Sequence, residues 1–283
     1  MQRNRAEGWQ HAKVTGHENE SLINEKLENN SKFQKDLLDK LGLEDEKIRF
    51  TEAGGINETD VDCIFEGEKT KSKTDLKVKL NNNKCINISI KKSTSGQVYL
   101  ITIDRFIRGF ELQYNTKIPD DVKEAIELFW GSSEKTLDII KQYGISNIAY
   151  QQRKHRLVQE TLNNYDSNLS DALLNWFKDN IYNIADFCFS KGLAKDKNEY
   201  AEYVWYKNEI LENDENLIIN INDLCKQSFI NKDRLVYYGN RGGGTTIQLP
   251  FGFVQWHSPK KTIPGCMQFH HNLKSIKETM NIK

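Results

Sequence analysis

The stretch Ile86-Asn87-Ile88-Ser89-Ile90-Lys91 alternates isoleucine with a polar residue three times in succession. A period of two marks a β-strand, because successive side chains leave opposite faces of a sheet. The three isoleucines then share one face, and Asn87, Ser89 and Lys91 share the other. Two comparable runs precede it. Leu76-Lys77-Val78-Lys79-Leu80 alternates and ends in the turn-forming Asn81-Asn82-Asn83, while Thr59-Asp60-Val61-Asp62-Cys63-Ile64-Phe65 follows the turn signal Glu52 to Asn57. Asp60 and Asp62 fall on one face of that run. An antiparallel meander is expected here. Ahead of it, Leu22, Ile23, Leu27, Phe33, Leu37, Leu38 and Leu41 recur at helical spacing, which predicts an amphipathic helix from His17 to Leu41 ended by Gly42.

From Asp120 to Tyr206 the apolar pattern is mainly helical, carried by Val122, Ile126, Phe129, Leu157, Leu162, Leu173, Leu174, Phe177, Ile181, Ile184 and Phe187. β character returns near the C-terminus. A glycine-rich turn from Asn240 to Gly244 leads into Thr245 to Leu249 and then Phe251 to His257. That turn lacks the G-K-[ST] ending of a phosphate loop, and no strand-loop-helix follows, which excludes an ATPase reading. With 283 residues the chain buries a real core. The expected organisation is a catalytic core over 1–130, a mainly helical part over 131–230 and a β-rich basic region over 231–283, possible also as one continuous domain.

The five cysteines form no C-x-x-C pair and no zinc-spaced cluster, so neither a disulfide framework nor structural zinc is expected. The stretch Met1 to Arg5 opens onto polar sequence without an apolar signal core, and no apolar run reaches the ~20 residues of a membrane span. A soluble protein of the cytoplasm, with no membrane partner, is expected. Forty basic and forty acidic side chains cancel, yet they are unevenly placed. Residues 231–283 hold Lys232, Arg234, Arg241, Lys260, Lys261, Lys274, Lys277 and Lys283 against only Asp233 and Glu278, leaving the rest of the chain correspondingly acidic. A nucleic-acid footprint depends on such local excess and not on the net sum.

Phosphodiester hydrolysis needs a cation to neutralise developing charge and a water held in line with the leaving oxygen, which calls for carboxylates and a nearby amine. Asp60 and Lys91 offer these groups at the ends of neighbouring strands, where they also suit an ordinary cross-strand ion pair. The order Thr59-Asp60-Val61, a β-run, then Ile88-Ser89-Ile90-Lys91 resembles the PD-(D/E)XK nuclease superfamily. Within it the chain is similar to the monomeric Type II restriction endonucleases of the MspI type, which cut four-base GC-containing sites. Gly16-His17-Glu18-Asn19-Glu20 opening the first helix, the run Ser89 to Ser93 and the closing Met267-Gln268-Phe269 carry the same likeness.

That resemblance implies an α/β (α+β) fold, with a central mixed β-sheet flanked by helices, a restriction-endonuclease-like core and a C-terminal β-rich recognition region. It implies that Asp60 ligates Mg²⁺, that Lys91 positions or deprotonates the attacking water and that the main-chain carbonyl of Ile90 adds a metal ligand. Ser89 stands where the family more often has Asp or Glu, and a hydroxyl is a weak Mg²⁺ ligand. A second carboxylate is therefore wanted: Glu20, which matches a glutamate many members aim at the metal, or Asp62. The implied activity is site-specific cleavage of double-stranded DNA leaving 5′-phosphates, by a monomer accompanied by a cognate DNA methyltransferase. Rival readings are a repair or junction nuclease on the same fold and a DNA-binding protein without catalysis.

Base edges in the major groove are read by Arg, Gln and Asn, while Lys and Ser hold phosphates. Arg241, Gln248, Gln255, His257, Lys260, Lys261 and Gln268 make up that inventory in the last fifty residues. A second basic cluster, Gln151 to Arg156, fits either a solvated helix face or a phosphate-tracking patch.

Overall fold

In a computed structural model describing residues 5–53, 60–144, 156–211, 215–239, 244–257 and 265–282, with side chains from residue 15 onward, the chain forms two units. One comprises residues 1–94 and 189–223, the other 95–188 and 224–283. This division follows the sheets and not the sequential segments 1–130, 131–230 and 231–283, because strands far apart in sequence pair with one another. The fold is mixed α/β, with a mixed sheet and packed helices, as expected.

The first unit opens with α1 (Arg5–Asn29) and α2 (Ser31–Lys40). The single helix expected over 17–41 is thus two. Asn30 breaks it: its backbone is extended, and its side chain accepts hydrogen bonds from the Lys32 and Phe33 amides, both at 3.1 Å. An asparagine that satisfies the orphan amides of a new helix turns a continuous apolar pattern into two segments. After Leu41, Gly42 takes φ +67°, the left-handed conformation that glycine adopts without steric cost.

Strands β1 (Ile48–Ala53), β2 (Val61–Asp62), β3 (Lys69–Thr70), β4 (Leu76–Leu80) and β5 (Cys85–Lys91) follow, with β6 (Ser95–Thr102) passing to the second unit. β7 (Tyr203–Lys207) and β8 (Asn216–Asn220) return to the first. The sheet runs β1-β4-β5-β7-β8, antiparallel throughout except where β5 lies parallel to β7. β2 and β3 pair with each other in a separate two-stranded sheet, and the chain leaving β2 also bonds the segment around Ala194, the Lys195 amide donating to Asp62 O at 2.9 Å. The expected meander is therefore β1, β4 and β5. The helical reading fails at Tyr203–Lys207, where Val204, Trp205 and Tyr206 form an interior strand, as β-branched and aromatic side chains favour on a pleated surface.

Ile86, Ile88 and Ile90 turn to one face, with Leu76, Val78 and Leu80 beside them, and all six are buried against Ile23 and Leu27 of α1 and Leu37 and Leu38 of α2. Burying each such side chain contributes about 1.5–3 kcal/mol. The other face is covered as well. Asn87 donates to the carbonyls of Asn198 (2.8 Å) and Tyr200 (3.0 Å), which satisfies its buried amide.

The second unit holds an all-antiparallel sheet in the order β6-β12-β11-β10-β9, with β9 (Val236–Tyr238), β10 (Thr246–Leu249), β11 (Gly252–His257) and β12 (Cys266–Asn272). The helices Ile103–Tyr114, Asp120–Trp130 and Gln159–Asp179 supply an aromatic core. Phe106 meets Trp176 edge-on at 6.3 Å and Phe269 at 5.8 Å, and Trp130 stacks on Phe177 at 5.8 Å. Among the described residues no helix is long and apolar enough to cross a membrane.

Candidate active site

The hairpin of β4 and β5 pairs Leu76 with Ile88 at its open end. Asp75 sits one residue before β4, anchored by its own amide on Ile88 O at 3.0 Å. Beyond this point the β4 backbone diverges, and the Asp75 side chain continues the ladder in its place. Its Oδ2 accepts hydrogen bonds from the Ile90 amide (2.7 Å) and Ser89 Oγ (3.0 Å). Ser89 Oγ in turn accepts from Lys91 Nζ at 2.7 Å, and the same ammonium donates to Ile90 O at 3.1 Å and stands 3.7 Å from Asp75 Oδ2. Ser89 is only 3% exposed, and the Lys91 and Asp75 side chains are 19% and 23% exposed. In such partial burial, screening is weaker than for an exposed pair, so the charges hold one another in a defined geometry.

The carboxylate that meets Ser89 and Lys91 is Asp75, a residue the sequence reading did not name. Asp60 precedes β2 in the separate hairpin and pairs with Lys71 Nζ at 2.8 Å, both side chains being more than half exposed. Adjacency of strands in sequence does not mean adjacency in a sheet, and the neighbours of β5 are β4 and β7, not β2. Asp62 is tied to Lys69 across the same hairpin, and that hydrogen bond and charge hold its carboxyl below the usual carboxylate range. Glu20, on α1, lies 3.3 Å from His17 Nδ1, and the carboxylate paired with Lys91 among the described residues is that of Asp75. The sequence signal for Asp75 was present: an acid placed directly before an alternating run that a short asparagine turn joins to the Ser89 strand.

The second Asp75 oxygen, Oδ1, has no hydrogen-bond partner among the described residues, and it shares this corner with the Ile90 carbonyl. Both are hard oxygen donors, the type Mg²⁺ takes, and that ion is commonly held by one or two carboxylates with waters completing its shell. No group of three or more His, Cys, Asp or Glu side chains placed to hold a metal occurs among the described residues. The donor set therefore fits a largely hydrated Mg²⁺ and does not fit a fully protein-ligated ion such as structural zinc.

Lysines gather beside Lys91. Lys92 hydrogen-bonds Thr15 on α1, its carbonyl accepts from Asn208 Nδ2 at 3.1 Å, and partial burial lowers its pKa against the opposing pull of Glu18. A recess beside them is lined by Lys91, Lys92 and Lys207 together with Ser93, Thr94, Tyr206 and one acid, Glu215.

In the second unit, Gln255 Nε2 donates to Gln268 Oε1 at 2.9 Å and Gln268 Nε2 to Gln97 Oε1 at 2.8 Å. His257 lies on the same face as Gln255 by strand alternation. Gln248 instead spans its own hairpin, donating to Gly252 O at 2.8 Å. Arg241, Lys260 and Lys261 lie outside the described residues, as does the cluster from Gln151 to His155. Its last member, Arg156, is neither solvated nor aimed at phosphate: it is 2% exposed, donates to Thr245 O at 3.1 Å and lies over the Trp256 ring. Gln97 joins the face without any local signal in the sequence, since the pairing of β6 with β12 brings it there, whereas His270 shares the face of Gln268 by alternation along β12.

No protein-family model matches the chain. No curated protein matches it either. Among solved structures, it is similar to a crystal structure of the restriction endonuclease MspI in complex with its cognate DNA, at 14% identity and a TM-score of 0.45, over 87% of this chain and 81% of that one.

Proposed function

We propose that this chain is a Mg²⁺-dependent endonuclease that hydrolyses double-stranded DNA at a specific short site, as Type II restriction endonucleases do. The observation that carries the reading is the meeting of Asp75, Ser89 and Lys91 at the open end of the β4/β5 hairpin. It retains the order of types that the PD-(D/E)XK resemblance implies, with the acid moved from Asp60 to Asp75.

Asp75 Oδ1 and the Ile90 carbonyl would hold the cation, which when bound supplies charge neutralisation at the phosphate and a more acidic water. Lys91 holds the attacking water beside the scissile phosphate. Ser89 is a positioning residue: its hydroxyl donates to Asp75 and accepts from Lys91, so it orients the ammonium without needing to touch the metal. The neighbouring Lys92 and Lys207 suit contacts to flanking phosphates. Cleavage of a GC-containing palindrome of about four bases, 5′-phosphate ends, action as a monomer and a partner methyltransferase complete the reading by the family resemblance.

The test is incubation of the purified chain with plasmid DNA and Mg²⁺, with chelator, and with Lys91→Ala. Discrete fragments, lost with chelator and in the variant while gel-shift binding persists, support the restriction reading. Cuts confined to junctions or mismatches would reassign it to repair, and binding without cleavage under any divalent cation would leave a DNA-binding protein.

A further inference from the structure

One face of the second unit's sheet, opposite the buried Val254, Met267 and Phe269, carries a row of four side chains drawn from three strands. Gln268 on β12 links Gln97 on β6 to Gln255 on β11, and the Gln255 Nε2 that donates to Gln268 also lies 3.2 Å from His270 Nε2. An amide nitrogen only donates, so with the Gln255 amide in this orientation His270 Nε2 is the acceptor, which requires a neutral imidazole with its proton on Nδ1. Each amide in the row then points the same way. Two groups are left over, Gln97 Nε2 as a donor and Gln255 Oε1 as an acceptor, and neither has a hydrogen-bond partner among the described residues.

We propose that His270 is a specificity-setting positioning residue: its acceptor nitrogen fixes the direction of the glutamine row, which reads DNA base edges with Gln97 donating and Gln255 accepting. This rests on the DNA-cleaving reading above. Amide side chains match base edges because each offers a donor and an acceptor, and β-surfaces are among the elements that carry them into a groove. The two ends of an amide are alike in shape, so the hydrogen-bond network alone decides which is presented.

The same geometry predicts what a proton does. Were Nε2 protonated, donor would face donor, and the Gln255 amide would turn to offer Oε1. Gln268 would then have to offer Nε2 to Gln255 and Oε1 to Gln97. The free ends would exchange, Gln255 presenting a donor and Gln97 an acceptor. Among the described residues, the groups facing His270 are Phe253, Gln255 and His257 from β11 and Gln97 from β6, and of these His257 is the ionisable one. Phe253 stacks on the imidazole at 4.5 Å and 9°. Burial, and then the charge of His257, push the His270 pKa below its ordinary value and keep the row in its forward direction.

Two measurements on the full chain test this. Nitrogen NMR of the His270 imidazole, without DNA, is expected to show the proton on Nδ1 near pH 8; a proton on Nε2 alone overturns the inference. Selection of bound duplexes from a randomised pool is expected to change base choice by about tenfold between pH 8 and a pH low enough to protonate His270. Gln97→Glu, at an exposed position that tolerates substitution, puts an acceptor at the end of the row and blocks reversal, so its base choice is expected to differ from the parent's and to be independent of pH. Unchanged base choice in Gln97→Glu, or a parent choice indifferent to pH, overturns the inference alone. Retention of no duplex under any condition overturns the DNA reading along with it.

Discussion

Asp75 performs two structural tasks at once: it closes the open end of a hairpin by accepting the Ile90 amide, and it fixes Ser89 and through it Lys91. The two tasks separate by mutation. Asp75→Asn keeps the shape and removes the charge, and is expected to lower plasmid cleavage by about a hundredfold or more, whereas Asp60→Asn leaves it near the parental rate. Equal losses in both would restore Asp60 to the site. Asp75→Ala also strands a buried amide and hydroxyl, and should cost about 1–3 kcal/mol in a urea titration. Lys91 and Ser89 were legible in the sequence because strict alternation places both on the polar face of one strand. Asp75 was signalled too, by its place directly before the run that the asparagine turn joins to the Ser89 strand, but the choice of Asp60 followed the family resemblance instead.

At the scale of elements, the junction of α1 with α2 depends on one side chain. Asn30→Ala removes the acceptor for two amides of the first turn and is expected to lower stability by about 1 kcal/mol, read as a shifted denaturation midpoint with unchanged slope. The segment after β7 is tied to α1 by Glu209, whose side chain is 6% exposed and pairs with Lys26 and Lys207. Burial works against the Glu209 carboxylate, the two lysines outweigh it, and its pKa lies below the ordinary 4.5. A carboxyl whose folded pKa is depressed contributes stability above its unfolded value, and that contribution disappears as pH falls through the folded one. Thermal unfolding measured from neutral pH to well below 4.5 is therefore expected to show a loss in the parent that is smaller in Glu209→Gln, since the variant lacks the charge from the start.

For the molecule as a whole, net charge is zero while the basic excess lies in residues 231–283. Those residues supply four of the five strands of the second unit's sheet. DNA affinity is expected to fall steeply with salt, log K dropping by about 0.9 per phosphate contact for each unit of log salt, despite the neutral total. Gel shifts across a salt series measure this slope, and a flat response would show that the excess meets no phosphate. The units themselves cross the sequence order: β7, which reads as helix beside its helical neighbours, completes the first sheet, and β6 leaves the meander to pair with β12.

What the sequence determined by itself was local: the strand carrying Ser89 and Lys91, its isoleucine face, the asparagine turn before it, and a supply of glutamines near the C-terminus. These follow from periodicity and turn chemistry, which act over a few residues. The tertiary structure decided which groups meet. Asp75 joins Lys91, Asp60 is left on a separate hairpin, and Gln97 enters a row with Gln268, Gln255 and His270, because strand pairing joins segments up to 171 residues apart. No short-range rule encodes such a pairing, since it is selected by the burial of whole sheet faces and not by the residues that end up in contact.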